Sequence, residues 1–237
     1  MKLWEGEFGD EYTERNKNLA SRCDFWTMLN EYQIFNALEV GCNCGRNLLD
    51  IETVTDIECV GLDMNEKALT EAMSRGLEVE YGVGEALDFP SNEFDLVFTV
   101  GVLIHMRTPE LVKTMLEMTR VSKKYVFFAE YLGDDEEVPY RGERQALFKR
   151  RYSDIYEALI PDAVLVSHGE LHKDDGFDDV NYWMYDISNS TSKDAIKADA
   201  RKGYVENKRS SDVGPPSEPA WAVSGDRRHS GGYRTGD

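Results

Sequence analysis

Asn36-Ala37-Leu38-Glu39-Val40-Gly41-Cys42-Asn43-Cys44-Gly45 is a short apolar run that ends in an acid and two glycines. Ile34, Phe35, Ala37, Leu38 and Val40 read as a buried strand, and Arg46-Asn47-Leu48-Leu49 as the start of a helix. A strand that turns on glycines into a helix is how an open α/β sheet presents a ligand at its carboxyl edge. Glycine suits such a turn because it adopts backbone angles other residues avoid and lets ligand atoms reach the main chain. Two phosphate-binding loops are excluded. The dinucleotide pattern G-x-G-x-x-G keeps only Gly41, with Asn43 and Arg46 in the other two places, and no Gly-Lys-Ser or Gly-Lys-Thr closes a P-loop. Taken alone, the turn is equally compatible with a purely structural strand-to-helix connection.

The segments that follow break that tie. Cys59-Val60-Gly61-Leu62-Asp63 is a second apolar run ending in a carboxylate, eighteen positions after Gly45. An acid finishing the second strand can accept hydrogen bonds from both ribose hydroxyls of an adenosine. The other use for an acid there, capping a helix, falls to Asn65, ahead of Ala68, Leu69, Ala72 and Met73. Then come the segment Val79 to Pro90 and the strand Asn92-Glu93-Phe94-Asp95-Leu96-Val97-Phe98-Thr99-Val100.

In order and spacing these four segments resemble the S-adenosylmethionine-dependent methyltransferases of Rossmann type, whose glycine loop reads acid-x-Gly-x-x-x-Gly. Asn43 stands where that family usually has a middle glycine, and Asn is the residue that best tolerates a left-handed backbone after glycine. The resemblance implies an α/β fold: a Rossmann-like seven-stranded, mostly parallel sheet with an antiparallel last strand and helices on both faces. It implies S-adenosylmethionine as cofactor, with Glu39, Gly41 and Gly45 on the methionine part, Asp63 at the ribose, and Asn43, Met64 and Val100 also in contact with the cofactor. Glu85 would accept from the exocyclic amine of the adenine, and Ala86 would supply the N–H.

Composition sets the bounds. The chain has 237 residues, 27 basic and 45 acidic, for a formal net charge of −18. Such a field repels nucleic acid and anionic lipid, so neither is expected as a partner. The absence of any apolar run of about eighteen residues, and of a signal-type start, leads to the expectation of a soluble, cytoplasmic protein. Cysteines 23, 42, 44 and 59 do not form a disulfide framework, and Cys42-x-Cys44 lacks zinc-ligand spacing, so no metal is expected. From Ser188 the character changes: nine basic and seven acidic residues, with Pro215-Pro216-Ser217-Glu218-Pro219, leave 18 basic and 38 acidic residues on 1–187. The expected organisation is an N-terminal helical lid over 1–35, a methyltransferase domain over 36–187 and a disordered tail over 188–237. Within the tail, 194–202 would make a brief helix, and Trp221 is an isolated aromatic, a candidate for docking to a partner.

Trp4-Glu5-Gly6-Glu7-Phe8-Gly9, Tyr12 and Arg15-Asn16 precede an amphipathic segment from Leu19 to Leu29. They read either as a flap of packing aromatics or as a lid with Tyr12 near the sulfonium and Arg15 or Asn16 on the methionine carboxylate. After the fourth strand, Gly101 to Met106 runs along the carboxyl edge, and Thr108-Pro109 caps a helix with Leu111, Val112, Met115 and Leu116 on one face. His105 therefore stands where substrate would meet the methyl group, either as a proton acceptor or merely bonded to loop backbone. Lys124 to Leu132 reads as the fifth strand, and Asp134 to Glu137 as an acidic loop. A helix should contain Leu147 to Tyr152, and Ala163–Ser167 and Asn181–Ile187 supply the last two strands, the second antiparallel. The basic cluster Arg141, Arg144, Lys149, Arg150 and Arg151 either balances the nearby acids or grips an anionic small substrate. In the second reading Tyr131, Tyr140, Arg141 and Lys149 would contact it.

The aromatic start, Gly-Val-Leu-Ile-His, the Glu-Tyr…Val-Pro-Tyr-Arg-Gly…Leu-Phe-Lys-Arg series and Asp178-Asp179-Val180-Asn181-Tyr182-Trp183 resemble pseudaminic acid biosynthesis-associated methylases over residues 1–187. That family often shows two tryptophans where this chain has Tyr182-Trp183. The resemblance implies a nonulosonic acid or related nucleotide-linked sugar as acceptor; direct methyl transfer to oxygen or nitrogen, by a monomer or homodimer, is the expectation. Two other classes stay open: a catalytically silent S-adenosylmethionine-binding module that regulates a partner, and a methyltransferase of a protein or another small metabolite.

Overall fold

The structure is a computed structural model and describes residues 2–18 and 20–196. Helices α1 (Lys2–Glu5), α2 (Glu7–Asn16) and α3 (Cys23–Trp26) lead into β1 (Asn36–Val40), α4 (Arg46–Val54), β2 (Glu58–Asp63), α5 (Glu66–Ser74), β3 (Glu78–Tyr81) and β4 (Phe94–Val100). A 3-10 turn at Leu103–His105 precedes α6 (Thr108–Val121) and β5 (Ser122–Glu130). The chain then runs through β6 (Glu136–Glu137), β7 (Phe148–Lys149), α7 (Tyr152–Leu159), β8 (Val164–Leu171) and β9 (Val180–Asp186).

Seven strands form one sheet in the order β3-β2-β1-β4-β5-β9-β8, parallel except for β9, which is antiparallel to both neighbours. This is the expected fold. Side chains alternate across it with the strand period of two: Val97 of β4 faces one core and Leu96 and Phe98 the other, while an irregularity between Phe94 and Leu96 turns Phe94 to the side of Val97. The first core is covered by Leu111, Met115 and Met118 of α6 and by Tyr152 and Tyr156 of α7. The second is covered by Trp26, by Leu48 and Ile51 of α4, and by Leu69 and Ala72 of α5. Leu48 is fully buried, so truncating it to alanine would cost about 2–5 kcal/mol. Successive strands leave β1 in opposite directions across the sheet, so the carboxyl ends of β1 and β4 flank the crevice where open α/β sheets take ligands.

Asn65 caps α5, its Oδ1 accepting the Ala68 N–H at 2.8 Å. Pro109 lies in the first turn of α6, with Arg107 rather than Thr108 at the cap. Other expectations shift. The span from Leu19 to Leu29 is not one amphipathic helix: Leu19 is outside the described residues, and helix resumes only at Cys23. Asp50 interrupts it, accepting the Ser21 hydroxyl at 3.0 Å and the Arg22 N–H at 2.7 Å. The expected helix over Leu147 to Tyr152 is instead strand β7 followed by α7. Phe148 and Lys149 pair with Glu137 and Glu136, and Arg150 is anchored by Asp135 and the Met106 carbonyl. Past Ile187 the chain stays on the domain, with the Ser190 hydroxyl and the Thr191 and Ser192 N–H groups donating to Asp162. Residues 192–196 are helical; the remainder of the expected tail, Trp221 included, lies outside the described residues. Among the described residues no helix is long and apolar enough to cross a membrane, and no group of three His, Cys, Asp or Glu side chains could hold a metal.

Candidate active site

The glycine loop between β1 and α4 is built on left-handed backbone: Gly41 has φ +78, Asn43 φ +48 and Gly45 φ +74. Gly45 has no room for a side chain, since a Cβ there would sit 2.2 Å from Leu77 Cδ1; at Gly41 it would sit 2.6 Å from Val102 Cγ2. Asn43 adopts the left-handed conformation its type tolerates. Its N–H donates to Asp63 Oδ2 at 2.7 Å, and the Asn65 N–H donates to Oδ1 at 2.9 Å. The Asp63 carboxylate is thus fixed, with a lone pair left on each oxygen. Burial pushes it up against the pull of the Asn65, Asn43 and Met64 N–H groups.

β1 and β2 pair with Val40 opposite Leu62, so Glu39 and Asp63 finish neighbouring strands and line one cavity of about 190 Å³. Glu39 is 1% exposed. Its Oε1 accepts from Asn47 Nδ2 at 2.6 Å, while Oε2 has no partner among the described residues. Burial raises its carboxyl to about 8, opposed by the Asn47 bond and by Arg22. An orphaned buried acid oxygen calls for a donor, best a cation. Leu62, Val83 and Met106 give the same cavity an apolar wall, and Gly82 and Gly84 let it approach main chain. The donor set fits a nucleoside that carries a charged amino-acid arm, as S-adenosylmethionine does.

Gly41, Asn43, Met64 and Val100 line this cavity, and Gly45 shapes the turn behind it. Glu85 and Ala86 do not line it. The Ala86 N–H is turned back onto the Val83 carbonyl at 3.2 Å, and Glu85 Oε2 is buried without a partner among the described residues, so residues 82–84 make the wall instead. Arg15 is not in this cavity either: it pairs with Glu11 at 3.5 Å and lines the neighbouring chamber. Asn16 lines both chambers. Arg22, which the sequence did not mark, lines both as well. Its Nη1 donates to Asn47 Oδ1 at 2.7 Å, its Nε donates to the Gly176 carbonyl at 3.1 Å, and it stacks 4.0 Å over Phe177. Burial beside Arg46 lowers it to about 10, so it remains a cation at neutral pH. Its partners lie 25 and 154 positions away, too far for spacing to reveal. Glu130, the acceptor of three N–H groups in the turn at 102–104, shows no role in the sequence for the same reason, while Asn47, eight positions from Glu39, reads there only as the start of a helix.

The second chamber, about 290 Å³, shares Tyr12, His105 and Asp178 with the first and adds Arg15, Tyr131, Tyr140 and Arg141. The Tyr131 hydroxyl donates to Asp178 Oδ2 at 2.9 Å, and Arg141 lies 5.8 Å over the Tyr140 ring. Lys149 is not there; it sits on β7 opposite Glu136. Arg150 and Arg151 are taken up by Asp135 and Asp134. Of the basic cluster only Arg141 reaches this chamber; the rest balances acids or stands elsewhere.

His105 lies between Trp4 and Tyr140, with ring centroids 4.3 and 5.3 Å away. Its Nδ1 is bonded to the Ala146 carbonyl, which only accepts, so Nδ1 carries the hydrogen and Nε2 is the free acceptor. Burial pushes its pKa down to about 4, and it is neutral at physiological pH. Tyr12 is pushed up to about 12 by burial and by Tyr140, and stays a neutral phenol. Helix α2 is tied to the cavity by two asparagines. Asn43 Nδ2 donates to Thr13 Oγ1 at 2.9 Å, and Asn65 Nδ2 donates to the Trp4 carbonyl at 3.1 Å and to Asp10 Oδ1 at 2.9 Å.

Residues 37–125 match the family model described as a methyltransferase domain. The chain is 35% identical over 95 residues to ajmaline N-methyltransferase of Rauvolfia serpentina, which covers 37% of this chain and 32% of that relative. The chain thus spans about a third of the length of that curated relative. Magnesium protoporphyrin IX methyltransferase from Synechocystis PCC 6803, solved with bound S-adenosylhomocysteine, superimposes with TM-score 0.61 at 12% identity, over 78% of this chain and 96% of that one. A protein from Methanosarcina mazei described as a SAM-dependent methyltransferase gives TM-score 0.56 at 16% identity, over 67% of this chain and 95% of that one.

Proposed function

We propose that this chain, which carries a methyltransferase domain in the class I S-adenosylmethionine-dependent fold, methylates an oxygen or nitrogen of a small acidic sugar. The observation that carries the reading is the pair of joined chambers. One has an orphaned buried Glu39 oxygen beside a fixed Asp63; the other is lined by guanidinium groups.

When bound, S-adenosylmethionine supplies a methyl group already activated on a sulfonium. The chain therefore has to bind, align and exclude water. Glu39 would take the ammonium of the amino-acid arm, and Arg22, rather than Arg15, its carboxylate. Asp63 would accept from the ribose hydroxyls, and residues 82–84 with Leu62 and Met106 would enclose the base. Tyr12 presents an aromatic face at the junction, suited to a positive sulfur. The N-terminal helices act as a lid.

On the acceptor side, Arg15 and Arg141 would pair with an anionic group, and Tyr131 and Tyr140 would flank the sugar. His105, neutral and accepting through Nε2, would orient the nucleophile and take its proton as the new bond forms. The resemblance to pseudaminic acid biosynthesis-associated methylases supports a nonulosonic acid or a nucleotide-linked sugar over other anions. The test is transfer of a labelled methyl group from S-adenosylmethionine to a panel of sugar acids and sugar nucleotides, with cell-extract protein alongside. Label in the small acidic fraction is expected; label only in protein, or in neutral metabolites, would reject the acceptor class.

A further inference from the structure

The first N–H groups of a helical turn lack partners inside it. The turn that carries His105 opens at Gly101 and Val102, and its cap position offers no side chain to satisfy them. The partner comes from the neighbouring strand. Glu130, the last residue of β5, accepts the Val102 N–H at 3.1 Å and the Leu103 N–H at 2.9 Å on Oε1, and the Ile104 N–H at 3.2 Å on Oε2. It is fully buried. Burial lifts its carboxyl to about 8, against the pull of those three donors.

Packing alone does not call for a carboxylate there, because burying one is costly unless donors meet it. An apolar residue would fill the space but leave three N–H groups without acceptors. The turn it holds touches both chambers: Val102 is the residue packed on Gly41, and His105 lies in the shared wall.

We propose that Glu130 is a positioning residue, fixing the turn at 102–105 so that His105 keeps Nδ1–H on Ala146 and offers Nε2 to the acceptor. The use of Nε2 rests on the methyl-transfer reading above; the hold of Glu130 on the ring does not.

The experiment is nitrogen NMR of the four histidine rings in the full chain, with neither cofactor nor acceptor present, His105 being assigned from its own replacement by glutamine. In the unaltered protein His105 should show a single Nδ1–H tautomer that does not titrate between about pH 5 and 8. In Glu130→Gln, which keeps the shape but replaces one acceptor oxygen by a donor, the ring should show mixed tautomers. Its midpoint should rise by about one pH unit or more toward the ordinary histidine value. Glu130→Asp, which keeps the carboxyl group on a shorter arm, should restore the tautomer in part. A folded Glu130→Gln protein whose His105 signals superimpose on the native ones would overturn the assignment while leaving methyl transfer standing. If neither variant folds, amide exchange in the unaltered chain decides. Val102, Leu103 and Ile104 should be protected like the strands around them, and exchange at the rate of an open loop would overturn it equally.

Discussion

The cavity around Glu39 and Asp63 is walled largely by strand ends and the turns that follow them, residues 39–47, 62–65, 82–84 and 100–106. The chamber around Arg141 draws on 12–22, 131–147 and 177–180. In the first, most of the wall stands within a few residues of the glycine or acid that marks it, with Tyr12, Arg22 and Asp178 among the distant additions. In the second, Arg15, Tyr131 and Asp178 meet only because the sheet and its last antiparallel pair bring distant loops together. A site assembled from strand ends has its geometry set by the sheet, while one assembled from loops is free to change its chemistry without touching the fold.

That contrast can be broken by substitution, and the largest effect is expected where the chambers meet. His105→Ala should lower kcat about 100-fold, the low end for a proton acceptor because the ring is a weak base, with affinity for S-adenosylhomocysteine unchanged. Full turnover in steady-state kinetics would remove His105 from the chemistry. Next, Asp63→Ala should weaken S-adenosylhomocysteine by about 2 kcal/mol, roughly 30-fold in calorimetry, through lost hydrogen bonds to a charged group; an unaltered Kd would reject its assignment to the ribose. Arg141→Ala should raise the acceptor KM about tenfold and leave the cofactor Kd alone, whereas Lys149→Ala, outside the chamber, should change neither. If the two variants behaved alike, the boundary of the acceptor chamber would be wrong.

The smallest effect is a proton. Glu39 sits at about 8 in the ligand-free protein, so near neutral pH it holds a proton that an ammonium arm would displace. Binding of S-adenosylhomocysteine should then release up to about one proton at pH 7 and tighten as pH rises toward about 8, levelling off above it. Calorimetry in two buffers of different ionisation enthalpy measures this, and zero release would contradict the pairing. The same linkage acts on folding. Glu39 and Glu130 are both raised from 4.5 to about 8 and hold protons that the unfolded chain gives up, so their joint contribution to stability falls as pH climbs through that window.

How much of this could be read from the chain follows from the same contrast. The Asn65 cap and the strand order are local or periodic signals and read correctly, and the glycine loop and Asp63 stand together at the cavity. The adenine segment misled because the Ala86 N–H is spent on a bend that spacing does not reveal. Arg15 was preferred to Arg22 because it lies in the aromatic segment, yet Arg22 is the one drawn into the cavity by Asn47 and Gly176. Lys149, Arg150 and Arg151 looked like a substrate patch on composition, while two of the three are matched to acids only 15 or 17 positions away. Glu130 enters the sequence reading only in the Glu-Tyr pair of a resemblance, with no role, since its three partners lie on the turn after a different strand.

The ties from Asn43 and Asn65 to α2 bear on the timing of a catalytic cycle. A movement of that helix away from the cavity would break contacts made by residues of the same loops that are proposed to hold the nucleoside. On the proposed binding mode, arrival and departure of the nucleoside would both be coupled to this one set of contacts.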